Sequence, residues 1–190
     1  MKLVIGLVGE KGSGKETFFK FLKKLTPQRK IVQLRFSDIL AETLDLWDIP
    51  NTRSNLQQLA IIMNTGYGRG TLTHTMSKRI QNQKADIILI DGVRWLEDGN
   101  MIRQSPNNLM VYITAKVQLR YQRLKLKSDK VGEAGVSLAQ FMEEEKIQTE
   151  LLIPKIGSKA DYKIVNNNTL DEFKKEIEKF TEQVLKPAWL

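Results

Sequence analysis

The sequence predicts an α/β fold in which a parallel five-stranded sheet is wrapped by helices, and three observations carry that prediction. Apolar runs of strand length alternate along the chain with stretches of helical periodicity. Two of the runs, Ile87 to Ile90 and Leu109 to Ile113, are continuous and rich in β-branched residues, as strands buried on both faces require. The first run, Leu3 to Val8, leads directly into Gly9-Glu10-Lys11-Gly12-Ser13-Gly14-Lys15-Glu16-Thr17, which in turn leads directly into an amphipathic segment.

Taken in order, Leu3 to Val8 is the first strand. Thr17 to Leu25 places Phe18, Phe21, Leu22 and Leu25 on one helical face, and Thr26-Pro27 stops it. Ile31 to Phe36 reads as the second strand. Helical periodicity follows over Ser37 to Leu46, Ser54 to Met63 and Thr71 to Gln83, interrupted by Asp48-Ile49-Pro50-Asn51 and by Gly66 to Gly70, so residues 37–84 form a helical insertion. Tyr162 to Val165 is the fifth strand. Before it, Val117 to Lys127 and Ser137 to Leu152 read as helices, the latter opened by a Ser137-x-x-Gln140 capping box. Thr169-x-x-Glu172 caps the last helix, whose apolar positions are Leu170, Phe173, Ile177, Phe180 and Val184.

A length of 190 residues with 41% apolar content suits one globular domain over residues 1–190. The absence of cysteine excludes disulfides and thiolate-held metals, and the short apolar start precedes Gly9 too closely for a membrane or secretory segment. A cytoplasmic setting, without membrane contact, is the expectation. The net charge of +8 calls for an acidic partner. The lysines are spread without aromatic interleaving or a recognition module, which argues against nucleic acid and for a small phosphorylated ligand.

Residues 9 to 17 are a phosphate cradle. Gly9, Gly12 and Gly14 let the backbone turn so that successive N–H groups face phosphate oxygens, Lys15 adds positive charge, and the following helix presents its N-terminal dipole. The common signature places a magnesium-binding hydroxyl immediately after the lysine. Here that position is Glu16, and the hydroxyl follows at Thr17. In a parallel sheet, ligands bind beyond the carboxyl ends of the strands, which directs attention to Asp91-Gly92-Val93-Arg94 after Ile90. Asp91 is suited to a magnesium-bound water or an acceptor, and Arg94 to a bidentate phosphate clamp. Arg120 and Arg123 lie three apart on one helical face. With Lys125, Lys127, Lys130 and the loop Val131-Gly132-Glu133-Ala134-Gly135 they outline a lid-like region over 120–150. Arg35, Arg53 and Arg69 border the helical insertion, and Arg53, opening a helix behind Asn51-Thr52, is the best placed of them for an acceptor. His74 reads as surface or packing, Trp95 as a wall of the site, and Glu143-Glu144-Glu145 as a solvated helix face.

Together these pieces resemble the nucleoside monophosphate kinase superfamily. A GxxGxGKxT loop, a DG-x-(x)-R strand exit, a pair of lid arginines and a late ADY-(x)-I-x-N segment occur there in this order. Here they are residues 9–17, Asp91 to Arg94, Arg120 with Arg123, and Ala160 to Asn166. Phage-type deoxynucleoside monophosphate kinases are similar in the acidic residue between loop lysine and threonine, in Phe36-Ser37-Asp38, and in Thr52-Arg53 followed by Leu56-Gln57. Dephospho-CoA kinases are similar mainly in the late segment and terminal helix.

The resemblance implies a three-layer P-loop kinase fold with a helical acceptor-binding insertion and a short lid. It implies ATP and Mg²⁺ as cofactors and a nucleotide-type acceptor. The donor nucleotide would be held by Gly9, Lys11, Gly12, Ser13, Gly14, Lys15, Glu16 and Thr17, with Asn166 near the donor base. Ser37, Asp38, Arg53 and Arg94 would hold the acceptor, and Thr17 and Asp91 the metal. Lys15, Arg94, Arg120, Arg123 and Asp91 would act in phosphoryl transfer. A regulatory ATP-binding switch would share the loop but need no acceptor clamp.

Overall fold

The computed structural model describes residues 2–68, 70–126 and 136–187. Arg69, Lys127, Lys130, the loop 131–135 and Trp189 lie outside the described residues. Five strands form one sheet: β1 (Leu3–Val8), β2 (Ile31–Arg35), β3 (Ile87–Asp91), β4 (Asn108–Thr114) and β5 (Tyr162–Val165). Their order is β2-β3-β1-β4-β5, and every pairing is parallel. The central position of β1, leading into the glycine loop, is the topological switch point where such sheets bind ligands.

Alternation along the strands builds two cores. Leu3, Ile5 and Leu7 join Ile87, Leu89, Val111 and Ile113 on one face, covered by Phe18 and Leu22 of α1 (Lys15–Leu25) and by Phe173, Ile177 and Phe180 of α9 (Leu170–Phe180). Val4, Val8, Ile88, Ile90, Met110 and Tyr112 face the other way, into the helices of the insertion. Those are α2 (Phe36–Leu46), α3 (Arg53–Gly66) and α4 (Thr71–Asn82), which therefore form part of one helical layer over the sheet. The sheet is thus the middle of three layers. Two glycines permit close approach: a Cβ on Gly6 would meet Met110 Sδ at 2.5 Å and Ile102 Cδ1 at 2.6 Å, and one on Gly157 would press into the Tyr112 ring.

Four expectations are corrected. The helix expected over 137–152 is two pieces. α7 (Leu138–Glu144) has the Ser137/Gln140 capping box, with Ser137 Oγ accepting from Gln140 N at 3.2 Å, and a turn then leads to α8 (Ile153–Gly157). Pro154 sits in the first turn of α8, where its missing N–H leaves no helical hydrogen bond unmade, while Glu145 and Glu150 turn inward to arginines. Consequently the Glu143 to Glu145 run is not a uniform solvated face: Glu143 is exposed, but Glu144 and Glu145 are paired across the fold.

A helix α5 (Leu96–Arg103) between β3 and β4 has no counterpart in the sequence reading. It starts without a Ser or Thr cap, using instead the buried Asp98, whose Oδ2 accepts from Arg94 N at 2.9 Å and Trp95 N at 3.0 Å. Trp95 itself is buried in the core rather than walling the site. Beyond α9 a π-helical turn (Thr181–Leu185) shifts the apolar phase by one position, so Leu185 is fully buried where Val184 was expected.

Candidate active site

The site forms at the carboxyl edge of the sheet. Register aligns Leu7 with Asp91 and Val8 with Tyr112, so the glycine loop emerges between the ends of β3 and β4. Gly12 and Gly14 adopt φ of 78° and 112°, and α1 begins directly after Gly14. A side chain on Gly9 would collide with the carbonyl of Ile113. The loop is held from beneath: Asn166 Nδ2 donates to Ser13 O at 2.8 Å, and Asn166 N donates to Thr114 O at 2.7 Å. Arg123 Nη2 donates to Asn166 Oδ1 at 3.3 Å.

Lys15 folds over its own loop, donating from Nζ to Gly9 O at 2.6 Å and to Glu10 O at 3.2 Å. Burial lowers its pKa, opposed by the nearby carboxylates of Asp91, Glu150 and Glu10, with Arg94 lowering it further. These four groups and Lys15 therefore share one electrostatic site. Asp91 closes β3 beside Arg35, and its Oδ1 accepts from Gly92 N at 2.8 Å. Ser37 and Asp38 occupy the first turn of α2, immediately after β2, with Ser37 exposed and Asp38 partly buried.

Arg53 and Arg94, expected together on an acceptor, meet on a carboxylate that the sequence reading did not single out. Glu150 is 6% exposed, and its Oε1 accepts from Arg53 Nη2 at 3.2 Å, from Arg94 Nη1, and from Gln57 Nε2 at 3.5 Å. Arg94 Nη1 also donates to Thr149 O at 3.3 Å. Thr52 caps α3 by accepting from Asn55 N at 3.2 Å, which fixes Arg53 at the first helical position.

Arg120 is buried rather than poised over the loop. It donates from Nε to Ala115 O at 2.9 Å and from Nη1 to Lys11 O at 3.3 Å, and it pairs with Glu145 through both terminal nitrogens. In this conformation it braces the cradle. Glu16 is exposed on the outer side of α1 and pairs with Lys20 at 2.7 Å, away from the loop's interior, while Thr17 is partly buried in the first turn. His74 is exposed. Glu10 reaches beneath the loop to accept from the Tyr112 hydroxyl, and burial together with that carboxylate pushes the Tyr112 pKa up to about 12.

Among the described residues, the buried side-chain polar atoms without a hydrogen-bond partner are Glu10 Oε2, Ser13 Oγ, Arg53 Nε, Arg123 Nη1 and Glu144 Oε2. All belong to the loop or to residues around it, and buried polar atoms that the protein itself leaves unpartnered are a small minority in folded chains. The cradle with its unpartnered Ser13 hydroxyl fits a polyphosphate. For magnesium, Asp91 and Thr17 stand at the ends of β3 and of the loop, but no cluster of three or more His, Asp or Glu side chains exists among the described residues. That donor set fits an ion carried mainly by phosphate and water oxygens. The signal for Glu150 was a lone acidic residue beside the apolar run Leu151-Leu152-Ile153; Glu10 carried none beyond lying inside the loop.

No protein-family model matches the chain. Among curated proteins, the chain is 28% identical over 188 residues to a UPF0200 protein of Saccharolobus solfataricus, covering 96% of this chain and 94% of that one. It is 26% identical over 188 residues to a UPF0200 protein of Pyrococcus horikoshii, covering 96% and 98%. Among solved structures, a shikimate kinase from Bacteroides thetaiotaomicron superposes with a TM-score of 0.62 at 14% identity, covering 96% of this chain and 98% of that one. A gluconokinase from Sinorhizobium meliloti does so at 0.58 and 12%, covering 99% and 95%. No helix among the described residues is long and apolar enough to cross a membrane. With its β2-β3-β1-β4-β5 parallel sheet, glycine loop and these structural likenesses, the chain has the fold of the P-loop kinases.

Proposed function

We propose that this protein is an ATP- and Mg²⁺-dependent phosphotransferase acting on a small-molecule acceptor of the nucleoside monophosphate type. The observation that carries the reading is the convergence of Lys15, Arg94, Asp91 and Glu150 in one electrostatic site at the switch point of the sheet, with Arg53 brought to Arg94 through Glu150. A nucleotide-binding switch needs the loop but not a second pair of guanidinium groups on the acceptor side.

ATP, when bound, supplies the phosphoryl group to be transferred. Lys15 releases Gly9 O and Glu10 O and turns its ammonium to the donor phosphates, while Gly12 to Gly14 present backbone N–H groups and Ser13 its hydroxyl. Arg94 and Arg53 orient the acceptor's anionic group, as planar forks suited to phosphate oxygens. Asp91 or Asp38 would take a proton from the acceptor, and Asp91 with Thr17 would help to hold Mg²⁺ when it is bound. Positioning and electrostatic stabilisation do most of the catalytic work in this chemistry. Arg123, ordered by Asn166, supplies a guanidinium next to the loop, and Arg120 keeps the loop in shape.

A second reading, a hydroxylated carboxylic acid as acceptor, is favoured by the shikimate kinase and gluconokinase likenesses, each spanning nearly the whole chain. A coupled ADP-release screen over ribo- and deoxynucleoside monophosphates, dephospho-CoA and hydroxy acids separates them. Turnover with a nucleoside monophosphate supports the first reading, and turnover with dephospho-CoA or a hydroxy acid replaces it. Steady ATP hydrolysis indifferent to every acceptor rejects the acceptor-kinase assignment in favour of a switch.

A further inference from the structure

We propose that Lys11 and Arg53 form an oxyanion subsite that bridges the donor loop and the acceptor clamp, and that the Glu144 carboxylate competes for this subsite. The proposal rests on the phosphotransferase reading and adds to it the place where a phosphoryl group passes between the two halves.

Glu144 is the last residue of α7 and lies between two elements that carry opposite halves of the site. Its Oε2 stands 3.5 Å from Lys11 Nζ on the loop and 3.7 Å from Arg53 Nε at the start of α3. Both separations are those of an ion pair but exceed a good hydrogen bond. Glu144 Oε2 and Arg53 Nε are buried, and neither has a hydrogen-bond partner. A buried polar atom left without such a partner is costly, so the contact at these two atoms is a compromise rather than a settled salt bridge. The contrast with Glu150 is direct, since that carboxylate hydrogen-bonds the same arginine at Nη2.

The elements that carry the cations are tied down without Glu144. The Lys11 backbone is held at its carbonyl by Arg120 Nη1, and the Arg53 guanidinium is held by Glu150. The loop at Lys11 and the Arg53 head therefore stay in place if Glu144 moves. A single carboxylate oxygen lies too far from both cations to hydrogen-bond either. A tetrahedral oxyanion, with several oxygens about 2.5 Å apart, can accept from Lys11 Nζ and Arg53 Nε simultaneously at about 2.8 Å. Glu144 is 31% exposed at its side chain, so it has solvent into which to retreat. The chemical class the subsite takes is thus a phosphate or phosphoryl group.

The test is orthophosphate binding at constant ionic strength, measured by calorimetry and thermal shift on the full chain without nucleotide or acceptor. Glu144→Gln removes the competing charge while keeping the shape, and should bind orthophosphate roughly tenfold more tightly than the parent, the scale of a like-charge neighbour relieved. Adding Arg53→Ala to Glu144→Gln should abolish that gain. Glu143→Gln, on the exposed neighbour that pairs with Lys146, should leave phosphate affinity unchanged. Equal or weaker binding by Glu144→Gln overturns the proposal, as does a gain that survives Arg53→Ala. Should Glu144→Gln not fold, as read by circular dichroism, Glu144→Asp withdraws the carboxylate by one methylene and is expected to tighten binding to a smaller degree. Because no turnover is measured, failure of the kinase reading in the acceptor screen leaves this result intact. Conversely, turnover without the Glu144→Gln effect rejects only the subsite.

Discussion

Asn166 Nδ2 donates to Ser13 O at 2.8 Å, so a residue 153 positions downstream holds the middle of the glycine loop. The same amide accepts from Arg123 and its backbone is tied to Thr114 O. A side chain on Gly14 would come within 2.6 Å of Asn166 Nδ2, which explains why that loop position is glycine for a packing reason as well as for its φ of 112°. The sequence resemblance implied a place near the donor base; the hydrogen bonds give Asn166 a role in shaping the loop.

Asn166→Ala should therefore lower both stability and nucleotide affinity. Asn166 is buried, and its loss strands the Ser13 carbonyl and leaves Arg123 without its partner, costing about 1–3 kcal/mol. Urea unfolding measures the first effect and calorimetry with ATP the second. Asn166→Asp should fail to rescue, because it lacks the amide donor that Ser13 O accepts from.

Lys15→Ala should leave the fold intact and remove ATP-dependent stabilisation. The variant gives up only two hydrogen bonds to the loop's own carbonyls. At a hundredfold excess over Kd, ATP stabilises a native protein by about 2.7 kcal/mol, or about 5–10 °C in Tm for a chain of this size. That shift is expected in the parent and absent in the variant under differential scanning fluorimetry. An equal shift in both rejects the assignment of Lys15.

Asp98 makes stability depend on pH in an unusual direction. Burial raises its pKa to about 6 from an ordinary 3.8, against the opposing hydrogen bonds from Arg94 N and Trp95 N. The folded chain therefore keeps a proton that the unfolded chain releases between about pH 3.8 and 6, and this group's contribution to stability falls as pH rises through that window. Asp98→Asn retains an oxygen acceptor for the two amides and cannot titrate. The difference in denaturation free energy, parent minus variant, should decline from pH 4 to pH 6 and then level off. A flat difference rejects the shift.

Gly157→Ala should destabilise more than Gly6→Ala. At Gly157 the new methyl meets three atoms of the Tyr112 ring within 2.7 Å, and that ring is held by the Glu10 carboxylate. At Gly6 the nearest atoms are Met110 Sδ and a terminal carbon of Ile102, ends of flexible side chains. Overpacking of the first kind costs about 1–3 kcal/mol, and thermal melts of the two variants give the ranking.

Much of the architecture was legible because each signal was local. The strand runs, the amphipathic faces of α1 and α9, the Thr52, Ser137 and Thr169 caps and the glycine loop each depend on residues within a few positions of one another. What was not legible depends on contacts made across the fold. α5 starts on a buried aspartate and a tryptophan backbone rather than a serine cap, and α7 stops where Glu145 and Glu150 turn toward arginines of other elements. The π-helical turn at 181–185 moves the buried position from Val184 to Leu185, a phase change that a fixed helical period does not encode.

By itself, then, the sequence determined the glycine loop between first strand and first helix and the parallel layering, since glycine spacing and apolar periodicity act over a single turn or strand. Only the tertiary structure decided how those charges are paired: Arg53 and Arg94 on Glu150, Arg120 on Glu145, and Lys11 and Arg53 across Glu144. The physical reason is that a buried charge takes whichever opposite charge the fold brings within reach, and separations of 25 residues or more along the chain leave no periodic trace of that choice.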